Sequence, residues 1–104
     1  MTETVRSRHG VPIRLPDERW AHIVEEHCEL AGLRGEVLET IGRADRILSG
    51  GADELPAVRM VESGKALVVV YKEAGPDDGF VITAFLTRRL GALDRRRQVW
   101  PSRT

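Results

Sequence analysis

The sequence predicts an α+β fold in which two N-terminal helices pack on a three- to four-stranded antiparallel sheet. Three observations predict it. Apolar residues recur at helical spacing in the first part of the chain, and after Asp45 they recur in short β-branched runs. The turn residues Ser63 and Gly64 separate two of these runs, which is typical of a tight hairpin. The run ALVVVY is apolar on both faces, so its strand is expected in the middle of the sheet.

The composition predicts one globular domain. The chain has 104 residues, of which 41% are hydrophobic and 31% charged. We expect a single domain over residues 1–104, with flexible ends at 1–9 and 101–104. Cys28 is the only cysteine, which excludes an internal disulfide and a multi-cysteine zinc site. No apolar run approaches the length of a membrane span, so the expected location is cytoplasmic, without a membrane partner.

The two helices are predicted over residues 17–29 and 33–43. Before them, the segment GVPIRL at 10–15 is predicted to be extended. Pro16 and the acidic residue after it open the first helix, since proline suits the first turn. Gly32 separates the two helices, and both are short and amphipathic, which favours packing against one face of a sheet.

The strands follow the helices along the chain. A short edge strand is predicted at 46–48, and the Gly, Asp and Pro content of 49–56 indicates a loop. The runs VRMVE and KALVVVYK form a hairpin, and a loop at 73–79 leads into the run FVITAFLT, so consecutive strands form a meander. The tail, RRLGALDRRRQVWPSRT, is predicted to be either a short helix or a last edge strand.

The net charge is zero, but the charges are unevenly distributed. Residues 1–15 carry three Arg and one acid, residues 16–80 carry seven basic and fourteen acidic residues, and residues 81–104 carry six Arg and one acid. The arginines of the last segment are Arg88, Arg89, Arg95, Arg96, Arg97 and Arg103. A basic segment of this kind fits a local phosphate-binding surface, or else a solvated tail that pairs with the acidic helices.

Two of the three histidines lie in the stretch RWAHIVEEH of the first predicted helix. Trp20, Ile23, Val24 and His27 share one apolar stripe, so His27 is expected to point toward the core near the last turn. His22 lies on the opposite side, among glutamates, and is expected to face water. The two rings therefore do not converge, and the HExxH spacing is absent, so no zinc site is expected.

The order LPDERWAHIVEEHCEL, a second helix, RADRIL and paired strands ending in GFVITAFLT resembles the small phage and mobile-element members of the barnase/EndoU/colicin/RelE-like nuclease superfamily. The resemblance covers about residues 10 to 90 and rests on a W-x-H-I-x-x-x-H helix and a V-I-T-A strand. It implies a RelE/barnase-like fold and a ribonuclease, often a toxin, that needs no metal or cofactor and cuts by attack of the ribose 2′-hydroxyl. The chain departs from the family pattern at Cys28 and Ala44, where proline is common.

Carried over to this chain, the resemblance points to His22, His27 and Thr83 as catalytic residues. Cleavage needs a base for the 2′-hydroxyl, an acid for the leaving 5′-oxygen and cations for the phosphate. His27 is the first choice for proton transfer, and Thr83 is a candidate donor to a phosphate oxygen. His22 can serve only if the first helix turns its glutamate-rich side toward the substrate, which the helical wheel opposes and the family pattern favours. On the neighbouring strand Tyr71 and Lys72 take opposite faces, so one of them is expected to border the substrate cleft.

Arg88 and Arg89 are candidates for binding the phosphate, because they follow the strand that carries Thr83 and guanidinium groups bind phosphate bidentately. Alternation along this strand, counted from Val81, gives Thr83 and Arg89 the same face. Arg88 shares the site only if the strand bends or ends before it.

Two alternatives remain open beside the ribonuclease. A non-catalytic module would use the same fold to bind a partner protein or RNA through its Arg-rich tail or open sheet face. A homodimer would bury the second apolar face of VVVY and VITAF against its twin. A toxin is expected to need a neutralising antitoxin or immunity protein, so co-purification with a partner separates these classes.

Overall fold

The computed structural model describes residues 1–102, which form one sheet with helices on both faces. The strands are β1 (Thr2–Arg6), β2 (Pro12–Pro16), β3 (Arg46–Leu48), β4 (Leu55–Glu62), β5 (Lys65–Gly75), β6 (Asp78–Thr87) and β7 (Gln98–Trp100). The α-helices are α1 (Asp17–Glu26), α2 (Arg34–Gly42) and α3 (Leu90–Asp94). Single turns of 3₁₀ helix occur at Cys28–Leu30 and Gly51–Asp53.

The seven strands lie in the order β1-β2-β6-β5-β4-β3-β7. All neighbours are antiparallel except β2 and β6, which are parallel and pair at one position, Arg14 opposite Phe80. Within residues 1–102, β6 from Ile82 onward therefore has no strand partner on its β2 side. Arg19 of α1 reaches this open edge, because its Nη1 donates a hydrogen bond to the Ile82 carbonyl at 3.5 Å.

The chain has the α+β class predicted from the sequence, but the predicted architecture is wrong. The sheet has seven strands instead of three or four, it is mixed instead of antiparallel, and a third helix packs on its second face. The strand β1 lies within residues 1–9, where a flexible end was expected, and its residues are mostly polar and exposed. Such a strand gives no alternating apolar signal, because Val5 is its only apolar residue.

The C-terminal tail contains both structures that the sequence allowed. The helix α3 comes first, and β7 then pairs with β3 at the sheet edge. Arg103 and Thr104, which belong to the predicted flexible end 101–104, lie outside the described residues.

The sheet has a core on each face. Along β5, the side chains of Leu67, Val69 and Tyr71 pack in the core under α1 and α2, whereas Ala66, Val68 and Val70 pack on the side of α3. Both faces of β5 are thus buried, which explains the uninterrupted apolar run ALVVVY. Full burial of each such aliphatic side chain contributes roughly 1.5–3 kcal/mol to the free energy of unfolding.

A β-bulge in β6 decides which of its side chains reach the second face. Val70 is opposite Thr83 and Tyr71 is opposite Val81, so Ile82 is the extra residue. Val81 therefore packs in the core under α1 and α2, while Thr83 faces the side of α3, like Val70. The simple alternation predicted from the sequence, with Val81 and Thr83 on one face, is wrong at this bulge.

The end of α1 places His27 at a break in the helix. The α-helix ends at Glu26, three residues before the predicted end, because the chain turns through the 3₁₀ turn Cys28–Leu30 and buries Leu30 completely. The backbone N–H of His27 still donates to the Ile23 carbonyl at 2.8 Å, but its own φ of −132° and ψ of 70° leave the helix. The His27 side chain can therefore turn away from the apolar stripe on which the sequence placed it.

Candidate functional site

A pocket of about 330 Å³ lies between α3 and the second face of the sheet. We call it the α3 pocket. Its apolar residues are Pro56, Val68, Val70, Phe85, Ala92 and Leu93. Its other lining residues are Gly50, Gly51, Glu54, Thr87, Arg89 and Arg96. The pocket is thus an apolar depression with a hydroxyl and charged groups around it, the usual composition of a small-molecule site.

Thr87 and Arg89 meet where β6 ends and α3 begins. The backbone N–H of Arg89 donates to the Thr87 hydroxyl oxygen at 3.0 Å, which fixes the position of that oxygen. A threonine hydroxyl can accept and also donate, and the Thr87 O–H donates to no residue within 1–102. The pocket therefore contains one fixed hydroxyl that is free to donate to a ligand.

The charged side chains of the α3 pocket are not neutralised by ion pairs. Arg96 donates to the Ser49 carbonyl at 3.4 Å, and within the described part of the chain Glu54, Arg89 and Arg96 form no ion pair. Elsewhere arginines commonly pair with carboxylates, as Arg46 does with Asp94 at 2.8 Å. The two guanidinium groups and one carboxylate leave the pocket with an excess of positive charge, which favours an anionic ligand.

His27 lies beside the α3 pocket, next to one of its walls. The ring centroids of His27 and Phe85 are 6.2 Å apart, and the two planes are tilted by 37°. The His27 side chain is 31% exposed, and its Nδ1 is 3.8 Å from a carboxylate oxygen of Glu29. His27 does not itself line the pocket, but a ligand that extends past Phe85 would meet a solvent-accessible imidazole.

His22 lies elsewhere on α1. Its side chain is 57% exposed, and Nε2 is 2.7 Å from the Glu26 carboxylate one turn later. It lines a separate open cleft of about 350 Å³ together with Pro16, Glu18 and Arg19. The structure therefore does not bring His22 to the α3 pocket, although the family pattern pairs it with His27.

Thr83 and Arg88, both candidates from the sequence, are not lining residues of the α3 pocket. Thr83 is half-buried on the face of the sheet that α3 covers. It lies opposite Val70, which does line the pocket. Arg88 is 62% exposed and lies 3.9 Å from Glu62, near the turn between β4 and β5. Of the two adjacent arginines it is Arg89, the residue directly before α3, that lines the pocket.

Tyr71 and Lys72 are also absent from the lining of the α3 pocket. Tyr71 is fully buried in the core under α1 and α2, and its hydroxyl makes no hydrogen bond of ordinary geometry within residues 1–102. Burial is the main reason that the pKa of Tyr71 lies well above its usual value, the Glu73 carboxylate raises it further, and the Ser7 hydroxyl opposes the rise. Lys72 is half-buried opposite Phe80, at the other end of the strand pair.

The third histidine, His9, belongs to a polar cluster that anchors the loop between β1 and β2. The Ser7 hydroxyl donates to one Glu73 carboxylate oxygen at 2.6 Å, and His9 Nδ1 is 3.0 Å from the other. Because the carboxylate lies between them, the imidazole cannot take the Ser7 proton. Ser7 is also only 6% exposed. The cluster therefore stabilises the loop and offers no accessible nucleophile.

Sequence reasoning did not assign a role to Phe85, Thr87 or Glu54, and it named Arg96 only as one of six arginines in a basic segment. Phe85 and Thr87 continue the alternation that starts at Thr83, so the same strand pattern contained a signal for both. Glu54 comes from the loop before β4, which pattern and spacing place at no particular point of the sheet.

Comparisons with protein-family models, with curated proteins and with solved structures give no match to this chain. Its function must therefore be argued from its own residues. None of the helices in residues 1–102 has both the length and the apolar character needed to cross a membrane. In the same residues, no three His, Cys, Asp or Glu side chains are grouped as metal ligands would be.

Proposed function

We propose that this chain is a ribonuclease that cleaves RNA without a metal, by attack of a ribose 2′-hydroxyl on the adjacent phosphate. The observation that carries the proposal is the contact between His27 and Phe85. It places a partly exposed imidazole next to a pocket that carries a hydroxyl donor and two guanidinium groups free of carboxylates. The resemblance in the sequence supports a ribonuclease as well, but it points to His22 and His27 together, and the pocket geometry is the reason for preferring His27.

His27 transfers the proton in this mechanism. Its neutral imidazole accepts the proton of the 2′-hydroxyl as that oxygen bonds to phosphorus. The bond from phosphorus to the 5′-oxygen then breaks, and the imidazolium returns the proton to this leaving oxygen. The products are a 2′,3′-cyclic phosphate and a free 5′-hydroxyl.

Thr87 and Arg89 stabilise the charge that grows on the phosphate. The Thr87 O–H is a free donor at a fixed position, and the Arg89 guanidinium can bind two phosphate oxygens at once. Thr83, which the family pattern favours, lies two residues before Phe85 on the same face of β6. It remains an alternative donor.

The test is cleavage of a labelled RNA oligonucleotide by the purified chain in EDTA. We expect products with 2′,3′-cyclic phosphate ends, and we expect His27→Ala to lower the rate by about a hundredfold or more, the usual contribution of a general acid–base group. His22→Ala is the matched comparison on the same helix, and circular dichroism checks that both variants fold.

The outcomes separate the candidate histidines and the candidate functions. Loss of activity in His22→Ala alone would assign proton transfer to His22 and place the substrate in the cleft that His22 lines. Absence of cleavage of both free and ribosome-bound RNA would overturn the proposal. Binding of RNA without cleavage would then favour the non-catalytic module.

The partners and location expected from the sequence stay predictions. A neutralising antitoxin or immunity protein is tested by co-expression, a homodimer by sedimentation, and a cytoplasmic location by fractionation of the cells that express the chain. The second sheet face, which a dimer was expected to bury, is partly covered by Leu90 and Leu93 of α3.

A further inference from the structure

Two opposite charges line the α3 pocket without pairing with each other. Glu54 and Arg89 are both lining residues, and within residues 1–102 neither carboxylate nor guanidinium has an ion-pair partner. Other charges of this chain do meet, as Arg59 and Glu36 do at 2.7 Å. The separated pair instead matches a ligand that has a hydrogen-bond donor at one end and an anion at the other. An amino-bearing nucleotide has both.

The apolar wall of the α3 pocket suits a flat ring. Val68, Val70 and Phe85 supply aliphatic and aromatic surface, and the volume of about 330 Å³ is at the small end for ligand pockets. Aromatic side chains bind single-stranded RNA by stacking on its bases. Phe85 can therefore stack on a base inside the pocket while His27, beside the same ring, remains near the ribose and phosphate.

The loop before β4 constrains the backbone of Glu54. Ala52 and Asp53 both adopt the left-handed conformation, with φ of 54° and 63°, which is uncommon for residues other than glycine. The Gly50 N–H donates to the Glu54 carbonyl at 2.8 Å, and a Cβ at Gly50 would lie 2.8 Å from that same oxygen. The loop is thus closed tightly around the Glu54 backbone, which limits the positions that its carboxylate can reach.

From this arrangement we infer that the α3 pocket binds one base that carries an exocyclic amino group, and that Glu54 selects it. An ionised carboxylate only accepts hydrogen bonds, so it pairs with the amino group of adenine, cytosine or guanine. Uracil has carbonyl oxygens in place of the amino group and can offer a carboxylate only its single ring N3–H, so it is expected to bind beside Glu54 less well. The inference rests on the proposed function for its substrate class, RNA.

Binding of nucleotides tests the inference without requiring cleavage. The four nucleoside 3′-monophosphates are titrated into the intact chain by calorimetry, with NMR amide shifts to locate the site. We expect the three amino-bearing nucleotides to bind about tenfold more tightly than the uridine nucleotide, the discrimination of one well-formed polar contact. Glu54→Gln should abolish that preference, because an amide both donates and accepts.

The control is Glu25→Gln, an exposed glutamate of α1 outside the pocket, which should keep the preference. Equal binding of all four nucleotides by the unmodified chain would overturn the inference, as would an unchanged preference in Glu54→Gln or amide shifts outside the pocket. Cleavage of mixed-sequence RNA without base preference would overturn the inference and leave the proposed function intact. Selective binding without any cleavage would overturn the proposed function and leave the inference intact.

Discussion

The imidazole of His27 and the ring of Phe85 are in tilted contact, with centroids 6.2 Å apart, and Phe85 also forms a wall of the α3 pocket. One aromatic ring thus touches both the proposed proton-transfer group and the ligand space. Phe85→Leu keeps an apolar side chain but removes the stacking surface. We expect kcat/KM for RNA to fall by about tenfold or more, because stacking on one base is worth about 1–3 kcal/mol.

Thermal unfolding shows whether the Phe85→Leu effect is local. A similar-sized apolar exchange should cost less than about 1.5 kcal/mol in the free energy of unfolding. Leu86→Met is the control, because Leu86 is the next residue of β6 and packs in the opposite core. Equal loss of activity in the two variants would show that the ring of Phe85 has no special role.

Arg89→Ala should weaken RNA binding and make it less sensitive to salt. The slope of log K against log salt concentration is expected to decrease in size by about one, the effect of losing one phosphate contact. Arg88→Ala is the neighbouring control, since Arg88 points away from the pocket and lies 3.9 Å from Glu62. Fluorescence anisotropy at several salt concentrations measures both slopes. A larger change for Arg88 would contradict the assignment.

Thr87→Val and Thr83→Val decide between the pocket and the family pattern. Valine keeps the shape and removes the hydroxyl, so the expected effect is a loss of kcat/KM of about tenfold or more for Thr87 and a smaller loss for Thr83. The reason is that Thr87 lines the pocket and has a free O–H, whereas Thr83 is not one of the lining residues. The opposite ranking would place the phosphate next to Thr83.

The helices α1 and α2 and the central strands leave clear signals in the sequence. The strand β1 and the parallel pairing of β2 with β6 do not. The apolar stripe around Trp20 and Ile23 predicts α1, and the continuous run in β5 predicts a strand buried on both faces. The strand β1 escapes prediction because Val5 is its only apolar residue. The parallel contact between Arg14 and Phe80 joins positions far apart in the chain, and periodicity carries no information on such contacts.

The candidate site was only partly accessible from the sequence for three physical reasons. A helical wheel placed His27 on the apolar stripe, but the helix ends one residue earlier and the side chain turns to Phe85. The bulge at Ile82 shifts the alternation of β6. Val81 and Thr83 therefore lie on opposite faces of the sheet, although simple alternation places them on the same face. Glu54 reaches the pocket through loop geometry, which depends on tertiary contacts.

Tyr71→Phe tests whether this tyrosine binds substrate or belongs to the core. Its hydroxyl is buried without a hydrogen bond of ordinary geometry, so removing it should leave the free energy of unfolding unchanged or raise it by up to about 1 kcal/mol. RNA cleavage should be unaffected, because the side chain lies in the core under α1 and α2. A chemical denaturation curve and an RNA cleavage assay check the two parts. Loss of RNA cleavage with an unchanged free energy of unfolding would show that Tyr71 takes part in substrate binding.

Asp78→Asn should make stability less dependent on pH in acid. Arg14 lies 2.8 Å from the Asp78 carboxylate and joins β2 to the start of β6. The hydrogen bond and charge of Arg14 lower the pKa of Asp78 below its ordinary value of 3.8. A lowered pKa in the folded state stabilises the fold above the unfolded pKa, and this contribution is lost as the pH falls through the folded pKa.

The measurement for Asp78→Asn is the melting temperature between neutral pH and strong acid. The variant should melt slightly below the unmodified chain at pH 7, because an exposed ion pair contributes little, and the two curves should converge once the folded carboxyl is protonated. Asp77→Asn is the control, since this exposed neighbour has no ion-pair partner within residues 1–102 and should leave the curve unchanged. A difference between Asp78→Asn and the unmodified chain that stays constant down to strong acid would contradict the ion pair as its cause.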